Sequence, residues 1–480
     1  MAATCAAAGC DRRDDSAPRV LVIGAAPRLA DPNIRPLASG EAVLLANLAQ
    51  GLVRFDARGQ IEPGLAERWN VSDDGLSYIF RLGQAEWPNG RKITAQQVAR
   101  LLKRATAKTS GNGLRDTLGA VDEIVAMTDR VLEIRLSAPR PNLLQLLAQP
   151  ELALVREGAG GGPFTLANQP AEDGALVLRR SVAGPDGDDD RREEVRLSGA
   201  AARDAVRRFA ADEADLVLGG TFADLPYARA VKLKRRTLQF DPVAGLFGLV
   251  VVRKTGPLED PEVRHLLSQA IDREALIGAL EVPGLVPRAT VLEGGLEGIA
   301  DVPQPAFLAT PLAERRQALV AAADRLFGKL ERPLLRIALP EGPGADQLLA
   351  RLAADWAVIG IRVERTPTGM PSDLRLVDRV APSSSPAWFV RHFRCGESAL
   401  CDAAIDELLD AARAAPVAAQ RAALLADAAR RIDELQPFLP IAAPVRWSLV
   451  SPRIEGFAGN RFGRHTLTAL GDRLNRERAE

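Results

Sequence analysis

Short apolar runs that are typical of buried strands alternate with helical patterns along most of the chain. The run at residues 20–23, Val-Leu-Val-Ile, ends at Gly24 and predicts a buried strand. The apolar segments 335–339 and 361–363 bracket a helical pattern that contains Leu348, Leu349, Leu352 and Trp356. Because this arrangement is a βαβ-like unit, the sequence predicts an α/β protein.

The length and the charge of the chain limit its domain organisation and its class of function. With 480 residues, 47% of them hydrophobic, the chain can form two or three domains or one large two-lobed body. Its 62 basic and 62 acidic side chains leave no basic surplus, which argues against nucleic-acid binding. No apolar run reaches the roughly 18 residues that a transmembrane helix needs.

Residues 1–17 are interpreted as a leader and a tether. Residues 7–10, Ala-Ala-Gly-Cys, resemble the lipobox of bacterial lipoproteins, in which the cysteine is lipidated. Asp11 resembles a signal that retains such proteins at the inner membrane, so we expect a periplasmic protein anchored through Cys10. The segment lacks a basic start and a long apolar stretch of a signal peptide, and an Ala-rich tail with an inert cysteine is the alternative.

Cys395 and Cys401 are separated by five residues, a spacing that can close a disulfide loop in an exported protein. Two free thiols near the start of a helix are the alternative. A metal site is disfavoured, because His392 is the only histidine nearby and the three histidines of the chain are dispersed.

A search for catalytic motifs gives no enzyme signature. The Gly-rich stretch 158–162 lacks the Gly-Lys-Ser/Thr of a phosphate-binding loop, and no Gly-x-Ser-x-Gly is present. His392 and Cys395 are three residues apart, but no orienting group accompanies them. The motifs therefore indicate an exported α/β protein that is not an enzyme and has no cofactor.

Several sequence blocks carry a family resemblance through their content and their order. The first ones are Leu-Ala-Gln-Gly-Leu-Val-Arg-Phe-Asp at 48–56, Ser-Asp-Asp-Gly-Leu-Ser-Tyr at 72–78 and Trp-Pro-Asn-Gly at 87–90. Later ones are Gly-Gly-Gly-Pro-Phe at 160–164 and the segment 260–273. In this order, over roughly residues 18–460, the chain resembles the peptide/nickel class (family 5) of extracellular solute-binding proteins of bacterial ABC transporters.

The resemblance implies a two-lobed periplasmic-binding-protein fold, type II and cluster C-like, with an extra N-terminal subdomain. Lobe I would comprise residues 18–250 plus 443–480, with residues 40–165 as the subdomain, and lobe II would comprise 251–442. The ligand, a peptide or another small molecule, would lie between the lobes. The expected partner is an ABC permease in the inner membrane, and the protein is expected to be a monomer.

At the ligand site, the chain departs from the pattern of peptide-binding members. Those members hold the peptide ammonium with an Asp where this chain has Pro382, and Asp378 could replace that Asp only if the loop shifts. The loop at 339–344 lacks the Arg that dipeptide-binding relatives use. The candidate ligand residues are Ser39, Glu41, Asp378, Arg379, Ser383, Ser384 and Trp388.

Three functions therefore remain open at this stage. The first is solute capture for an ABC importer, with a peptide as the default ligand. The second is a sensor or structural lipoprotein that keeps the fold without the ligand, which the departures at Pro382 and 339–344 make credible. The third and most remote is an exported enzyme.

Overall fold

The computed structural model describes residues 17–182, 191–328 and 332–472. Residues 1–16, which include Cys10 and nearly all of the predicted leader and tether, lie outside this part of the chain. Among the described residues, no helix is both long and apolar enough to cross a membrane.

A seven-stranded sheet forms the base of lobe I. Its central strand, Arg19–Ile23, pairs in parallel with Arg191–Ala200 on one side and with Leu216–Thr221 on the other. Residues 20–22 are buried, as expected for a strand covered on both faces, and this explains the continuous apolar run. Across the sheet, the strands follow the order Thr165–Leu166, Leu176–Val182, Arg191–Ala200, Arg19–Ile23, Leu216–Thr221, Arg446–Val450 and Leu238–Phe240.

A five-stranded sheet forms the base of lobe II. The predicted βαβ unit is present here, because Leu334–Leu339 and Arg362–Pro367 pair in parallel on either side of the helix Pro343–Ala357 in the chain. The strands follow the order Arg362–Pro367, Leu334–Leu339, Leu374–Val380, Gly245–Val251 and Phe438–Ala442.

One predicted lobe boundary is wrong. The sequence interpretation assigned residues up to 250 to lobe I, but the strand Gly245–Val251 pairs with Leu374–Val380 and Phe438–Ala442 in the lobe II sheet. All seven residues of this strand are buried, a pattern that fits the interior of either sheet. The chain therefore crosses between the sheets at residues 241–244 and again at 443–445. The other predicted boundaries stay predictions.

The extra subdomain has a hydrophobic core of its own, built from residues 52–154. Four antiparallel strands form its main sheet, and the helix Ala95–Thr106 begins at a capping box made by Thr94 and Gln97. Trp87 is buried in this core, and its indole Nε1 donates to Gln97 Oε1 at 2.8 Å. In sheet order, the strands are Ala66–Val71, Ser77–Leu82, Val131–Leu136 and Val121–Ala126, and a separate hairpin pairs Val53–Phe55 with Ile61–Pro63.

Amphipathic helices cover the sheets. The helix Pro261–Ala270 begins where its residues favour a start, because Pro261 suits the first turn and Asp260 Oδ1 accepts a hydrogen bond of 2.8 Å from the Glu262 backbone N–H. The remaining helices are Ser39–Leu48, Leu143–Leu147, Ala202–Ala210, Leu225–Arg229, Arg273–Leu280, Leu312–Phe327, Pro386–Arg391, Ala403–Ala414 and Ala418–Leu435.

The two lobes share a core where the chain crosses between them. Leu21 and Val217 of the lobe I sheet belong to the same buried hydrophobic cluster as Leu249 of the lobe II sheet. Phe222, at the end of a lobe I strand, meets Phe247 of lobe II edge to face, with ring centroids 4.9 Å apart. These contacts join the sheet of lobe I to the sheet of lobe II. The subdomain contacts lobe II at a separate place, around residues 382–385.

Candidate ligand-binding cavity

A cavity of about 830 Å³ lies between the subdomain and lobe II. The subdomain contributes lining residues from 106–121, Arg140 and Asn142, and lobe II contributes Glu297 and residues from 379–425. A volume of this size suits a small solute, and ligand pockets are common where two domains meet. We call this space the interlobe cavity.

On the lobe II side, the helix Pro386–Arg391 forms much of the wall. Pro386 occupies the first turn, where its missing N–H costs no hydrogen bond. The helix presents Trp388, which is 6% exposed and meets the His392 ring edge to face at 4.9 Å. Trp388 therefore belongs to the core of lobe II and lines the cavity as well.

On the subdomain side, a turn at Arg115–Leu118 forms the wall. The Arg115 guanidinium donates to the backbone carbonyls of Lys108 at 2.9 Å and Ser110 at 3.2 Å, which holds the preceding loop in place. Nearby, the Tyr78 hydroxyl donates to the Arg140 carbonyl at 2.9 Å and fixes the chain just before Asn142. Hydrogen bonds within the protein thus position both elements of this wall.

The lining of the interlobe cavity is strongly basic, with eight Lys and Arg side chains against three Asp and Glu side chains. Three of the basic side chains have a carboxylate partner. The pairs are Arg115 with Asp116 at 3.0 Å, Arg421 with Glu297 at 2.9 Å and Arg394 with Asp410 at 2.9 Å.

The other five basic side chains have no carboxylate oxygen within 4 Å among the described residues. Burial, reinforced by Arg421, lowers the pKa of Arg140 to about 10. Burial also lowers the pKa of Arg391. These five side chains are Lys108, Arg140, Arg379, Arg391 and Arg413.

Several buried nitrogens in this lining also have no hydrogen-bond partner among the described residues. They include Nε and Nη1 of Arg391, Nη1 of Arg421 and Nε2 of His392. Burial lowers the pKa of His392 to about 3, and the charges of Arg391 and Arg379 act in the same direction. The imidazole is therefore neutral at pH 7, and buried donors without partners are costly unless something else accepts from them.

The loop at 382–385, here called the serine loop, is bound to the subdomain. Asn142 Nδ2 donates to Ser383 Oγ at 2.8 Å, and Gln149 Nε2 donates to the Pro382 carbonyl at 2.7 Å. The Ser384 backbone N–H donates to Gln145 Oε1 at 2.8 Å. Ser383 lines the cavity, whereas Ser384 is not among the lining residues.

Asp378 lies outside the cavity lining. Arg446 Nη1 donates to Asp378 Oδ1 at 2.8 Å, which joins the lobe II strand Leu374–Val380 to the lobe I strand Arg446–Val450. Burial raises the pKa of Asp378, and Arg446 opposes that effect. Since its carboxylate already has a cationic partner, the predicted role of Asp378 in ligand binding stays a prediction without geometric support. Arg379, the next residue, does line the cavity.

Ser39 and Glu41 also lie outside the lining. Glu41 is buried in the first turn of the helix Ser39–Leu48, where Oε1 accepts from Arg35 at 2.6 Å and from Arg28 at 3.1 Å. The hydrogen bond from Arg35 lowers the pKa of Glu41 to about 2. Glu41 thus orders the N-terminal loop, and Ser39 is exposed at the start of the helix.

Cys395 and Cys401 form a disulfide, as predicted. Cys395 lines the interlobe cavity, so the bridge constrains one edge of its wall. Within the described part of the chain, no group of three or more His, Cys, Asp and Glu side chains could hold a metal ion.

Comparison with known proteins identifies the family. The family model for bacterial extracellular solute-binding proteins, family 5 Middle, matches residues 60–380. The "Probable di/tripeptide-binding protein 5" of Pseudomonas aeruginosa is 26% identical and covers 88% of this chain and 89% of its own length. "Di/tripeptide-binding protein 2" of the same organism is 25% identical over 82% of this chain and 83% of its own length.

Solved structures show the same fold. Haemophilus influenzae OppA in complex with the peptide RPPGFSPFR superposes with a TM-score of 0.81 at 18% identity, covering 95% of this chain and 99% of that chain. AgaA of A. tumefaciens R10 in complex with agropinic acid superposes with a TM-score of 0.74 at 20% identity, with the same coverage of both chains. The chain therefore belongs to the family 5 bacterial extracellular solute-binding proteins.

Proposed function

We propose that this protein is the substrate-binding component of an ABC importer and captures a small solute in the interlobe cavity. The observation that supports the proposal most directly is that the subdomain and lobe II each contribute one wall of the cavity. A ligand that contacts both walls favours the closed arrangement, because only contacts made with both sides distinguish it from the open one. The closed protein would then deliver the solute unchanged to a membrane permease.

Peptides are the default ligand class, because two of the relatives named above are described as di/tripeptide-binding proteins. The fold also accommodates other ligands, since the AgaA structure is described as a complex with agropinic acid. In this chain, Pro382 stands where peptide-binding members have the ammonium-binding Asp, and its carbonyl already accepts from Gln149. The charges and hydrogen-bonding groups of the cavity lining are therefore the better guide to the ligand class.

The proposed location is the periplasm, with the protein held at the inner membrane by lipidated Cys10. The lipobox-like segment 7–10 and Asp11 support this proposal. A single lipid chain binds membranes only weakly, so the multiple acyl chains of a bacterial lipoprotein would be needed for stable anchoring. We also propose that the protein acts as a monomer and carries out no chemical conversion.

Native mass spectrometry of protein purified without denaturation tests the proposed function. We expect a trapped small molecule, released on unfolding, in a fraction of the protein. The same solute, added at about 100 times its dissociation constant, should stabilise the emptied protein by about 2.7 kcal/mol. Protein that retains no solute, and that no peptide, sugar, acid or metal stabilises, would contradict ligand capture.

One observation favours a second candidate, a ligand-free structural or sensor protein. Polar groups of the serine loop form hydrogen bonds with Asn142, Gln145 and Gln149 of the subdomain. These bonds hold the subdomain against lobe II without a ligand. For such a protein, breaking these hydrogen bonds would lower the stability of the fold. All small-molecule binding assays would be negative, with or without the change. Neighbouring permease and ATPase genes would favour the importer instead.

A further inference from the structure

The basic side chains of the interlobe cavity form two clusters of like charge. In the first cluster, burial and the charges of Arg379 and Arg115 lower the pKa of Arg391, whereas Asp116 and Glu397 oppose that effect. All of these residues line the cavity. We call this the Arg391 cluster. The two like charges repel Arg391, so a bound anion would add to the partial compensation from Asp116 and Glu397.

The second cluster is centred on Arg140. Burial and the charges of Arg421 and Arg413 lower the pKa of Arg140, and Glu297 opposes them. The Arg140 guanidinium donates to the backbone carbonyls of Pro139 at 2.7 Å and Arg413 at 3.1 Å. We call this the Arg140 cluster. Carbonyl oxygens carry only a partial charge, so they satisfy the hydrogen bonds without neutralising the guanidiniums.

The acidic side chains of the lining cannot neutralise both clusters. Glu297 is already engaged by Arg421, and Asp116 by Arg115. Glu397, the third, is exposed and makes no salt bridge within 4 Å to a described residue. Five basic side chains therefore face the cavity without a carboxylate of the described chain, and buried nitrogens of Arg391 and Arg421 still have free hydrogen-bonding capacity.

We propose that the captured solute is a small dianion that presents one carboxylate or phosphate group to the Arg391 cluster and another to the Arg140 cluster. This inference rests on the proposed function, since it names the ligand class of the same cavity. Guanidiniums bind both kinds of group through paired N–H donors, and arginines of both clusters line the cavity.

A ligand of this class does not need an ammonium group. The residue at 382 is proline, and Asp378 is held by Arg446 outside the lining. A free ammonium would enter a cavity in which basic side chains outnumber acidic ones by eight to three. A peptide could still bind, but its acidic side chains and its terminal carboxylate would provide the affinity.

Titration calorimetry on the full chain at pH 7 and constant ionic strength tests the ligand class. The probes are the dipeptides Glu-Glu, N-acetyl-Glu-Glu, Gln-Gln and Lys-Lys, together with 2,3-bisphosphoglycerate as a phosphate-bearing anion. We expect Glu-Glu or the bisphosphate to bind at least about tenfold more tightly than Gln-Gln and Lys-Lys, because two charge-assisted contacts are lost in the neutral isostere. Acetylation of Glu-Glu should change its affinity by less than about threefold.

Variants locate the binding site. Arg379→Gln and Arg413→Gln each remove one charge from a different cluster, and both side chains are exposed enough for the fold to survive. Each should weaken anion binding about tenfold. Arg430→Gln is the matched control, because Arg430 is exposed, pairs with Asp427 and does not line the cavity. It should leave affinity within about twofold.

The outcomes separate this inference from the proposed function. Tighter binding of Gln-Gln or Lys-Lys than of every anion would overturn the dianion class and leave solute capture standing. The same holds if acetylation abolishes binding, or if anion affinity is unchanged in both cavity variants. If no probe binds and the native protein carries no trapped solute, both proposals are overturned; a trapped neutral or cationic solute overturns only the dianion.

Discussion

Asn142 of the subdomain donates a buried hydrogen bond of 2.8 Å to Ser383 of lobe II. The two residues are 241 positions apart in the chain, so this bond reports directly on how the lobes meet. Together with the bonds from Gln149 to Pro382 and from Ser384 to Gln145, it fixes the serine loop beside the interlobe cavity. Opening the cavity must break this set of hydrogen bonds.

Replacing Asn142 with Ala should loosen the contact between the subdomain and lobe II. The Ser383 hydroxyl is buried and would lose its side-chain donor, so we expect the free energy of unfolding to fall by about 1–2 kcal/mol. Hydrogen exchange should accelerate in the segment 381–386, measured by mass spectrometry. Gln317→Ala, on the exposed face of the helix Leu312–Phe327, is the control and should change neither quantity. Unaltered exchange at 381–386 in Asn142→Ala would mean that the bond does not restrain the loop.

Local sequence signals predicted much of the fold. The helix at 261–270 was recognisable from Asp260 and Pro261, and the βαβ unit from two apolar runs around one helical pattern. The disulfide followed from a short spacing between two cysteines. Such features depend on residues close together in the chain, which is why a single sequence reveals them.

The site was predictable only in part, because long-range packing creates it. Arg140 and Arg421 are 281 positions apart, and no local pattern indicates that both line one cavity. Asp378 was predicted as a ligand residue because it is a carboxylate near the expected loop. In the structure it accepts a hydrogen bond from Arg446, which is 68 positions away. Trp388 and Ser383, which lie in or just after the loop that the family resemblance identified, line the cavity, and their role in ligand binding stays a prediction.

Glu41 should make stability depend on pH in the acid range. Its pKa falls from 4.5 to about 2 in the folded protein, mainly through Arg35. A lowered pKa stabilises the fold above the unfolded-state value, and this contribution disappears as the pH falls from about 4.5 to 2. Urea unfolding should therefore show wild type about 2 kcal/mol more stable than Glu41→Gln at pH 7, with the gap closing near pH 2.

The control for this experiment is Glu123→Gln. Glu123 pairs with Arg135 at 2.7 Å, but both side chains are about half exposed, so its replacement should cost less than about 1 kcal/mol. A gap between wild type and Glu41→Gln that stays constant from pH 7 to pH 2 would show that the loss comes from packing and not from ionisation.

Asp433 should affect the pH dependence of stability in the direction opposite to Glu41. Burial raises its pKa from 3.8 to about 7, while its Oδ1 accepts from the Val291 backbone N–H at 2.8 Å and Arg288 lies nearby. A raised pKa favours the fold below the unfolded-state value, and that advantage is lost as the pH rises from about 4 through 7. Asp433→Asn keeps the acceptor and removes the charge. It should be more stable than wild type by about 1–3 kcal/mol at pH 8 and equal to it near pH 4.

Asp427→Asn serves as the comparison for Asp433, since it lies on the same helix, Ala418–Leu435, and is about half exposed. It should change the free energy of unfolding at pH 8 by less than about 1 kcal/mol, because its ion pair with Arg430 is exposed to solvent. If Asp433→Asn instead destabilises the protein at pH 8, the carboxylate is ionised and paired in the fold.

Removing the disulfide should weaken the fold and disturb one edge of the cavity. The bridge closes a loop with a sequence separation of 6, for which chain entropy predicts a stabilisation of about 2 kcal/mol. Cys395→Ser with Cys401→Ser should therefore unfold at lower urea concentration, and a reductant should lower wild type to the same midpoint. Because Cys395 lines the cavity beside Glu397, the double variant should also bind its solute less tightly than oxidised wild type. Equal stability and affinity in the two proteins would mean that the loop holds its conformation through the hydrogen bond from the Cys395 backbone N–H to Asp406 alone.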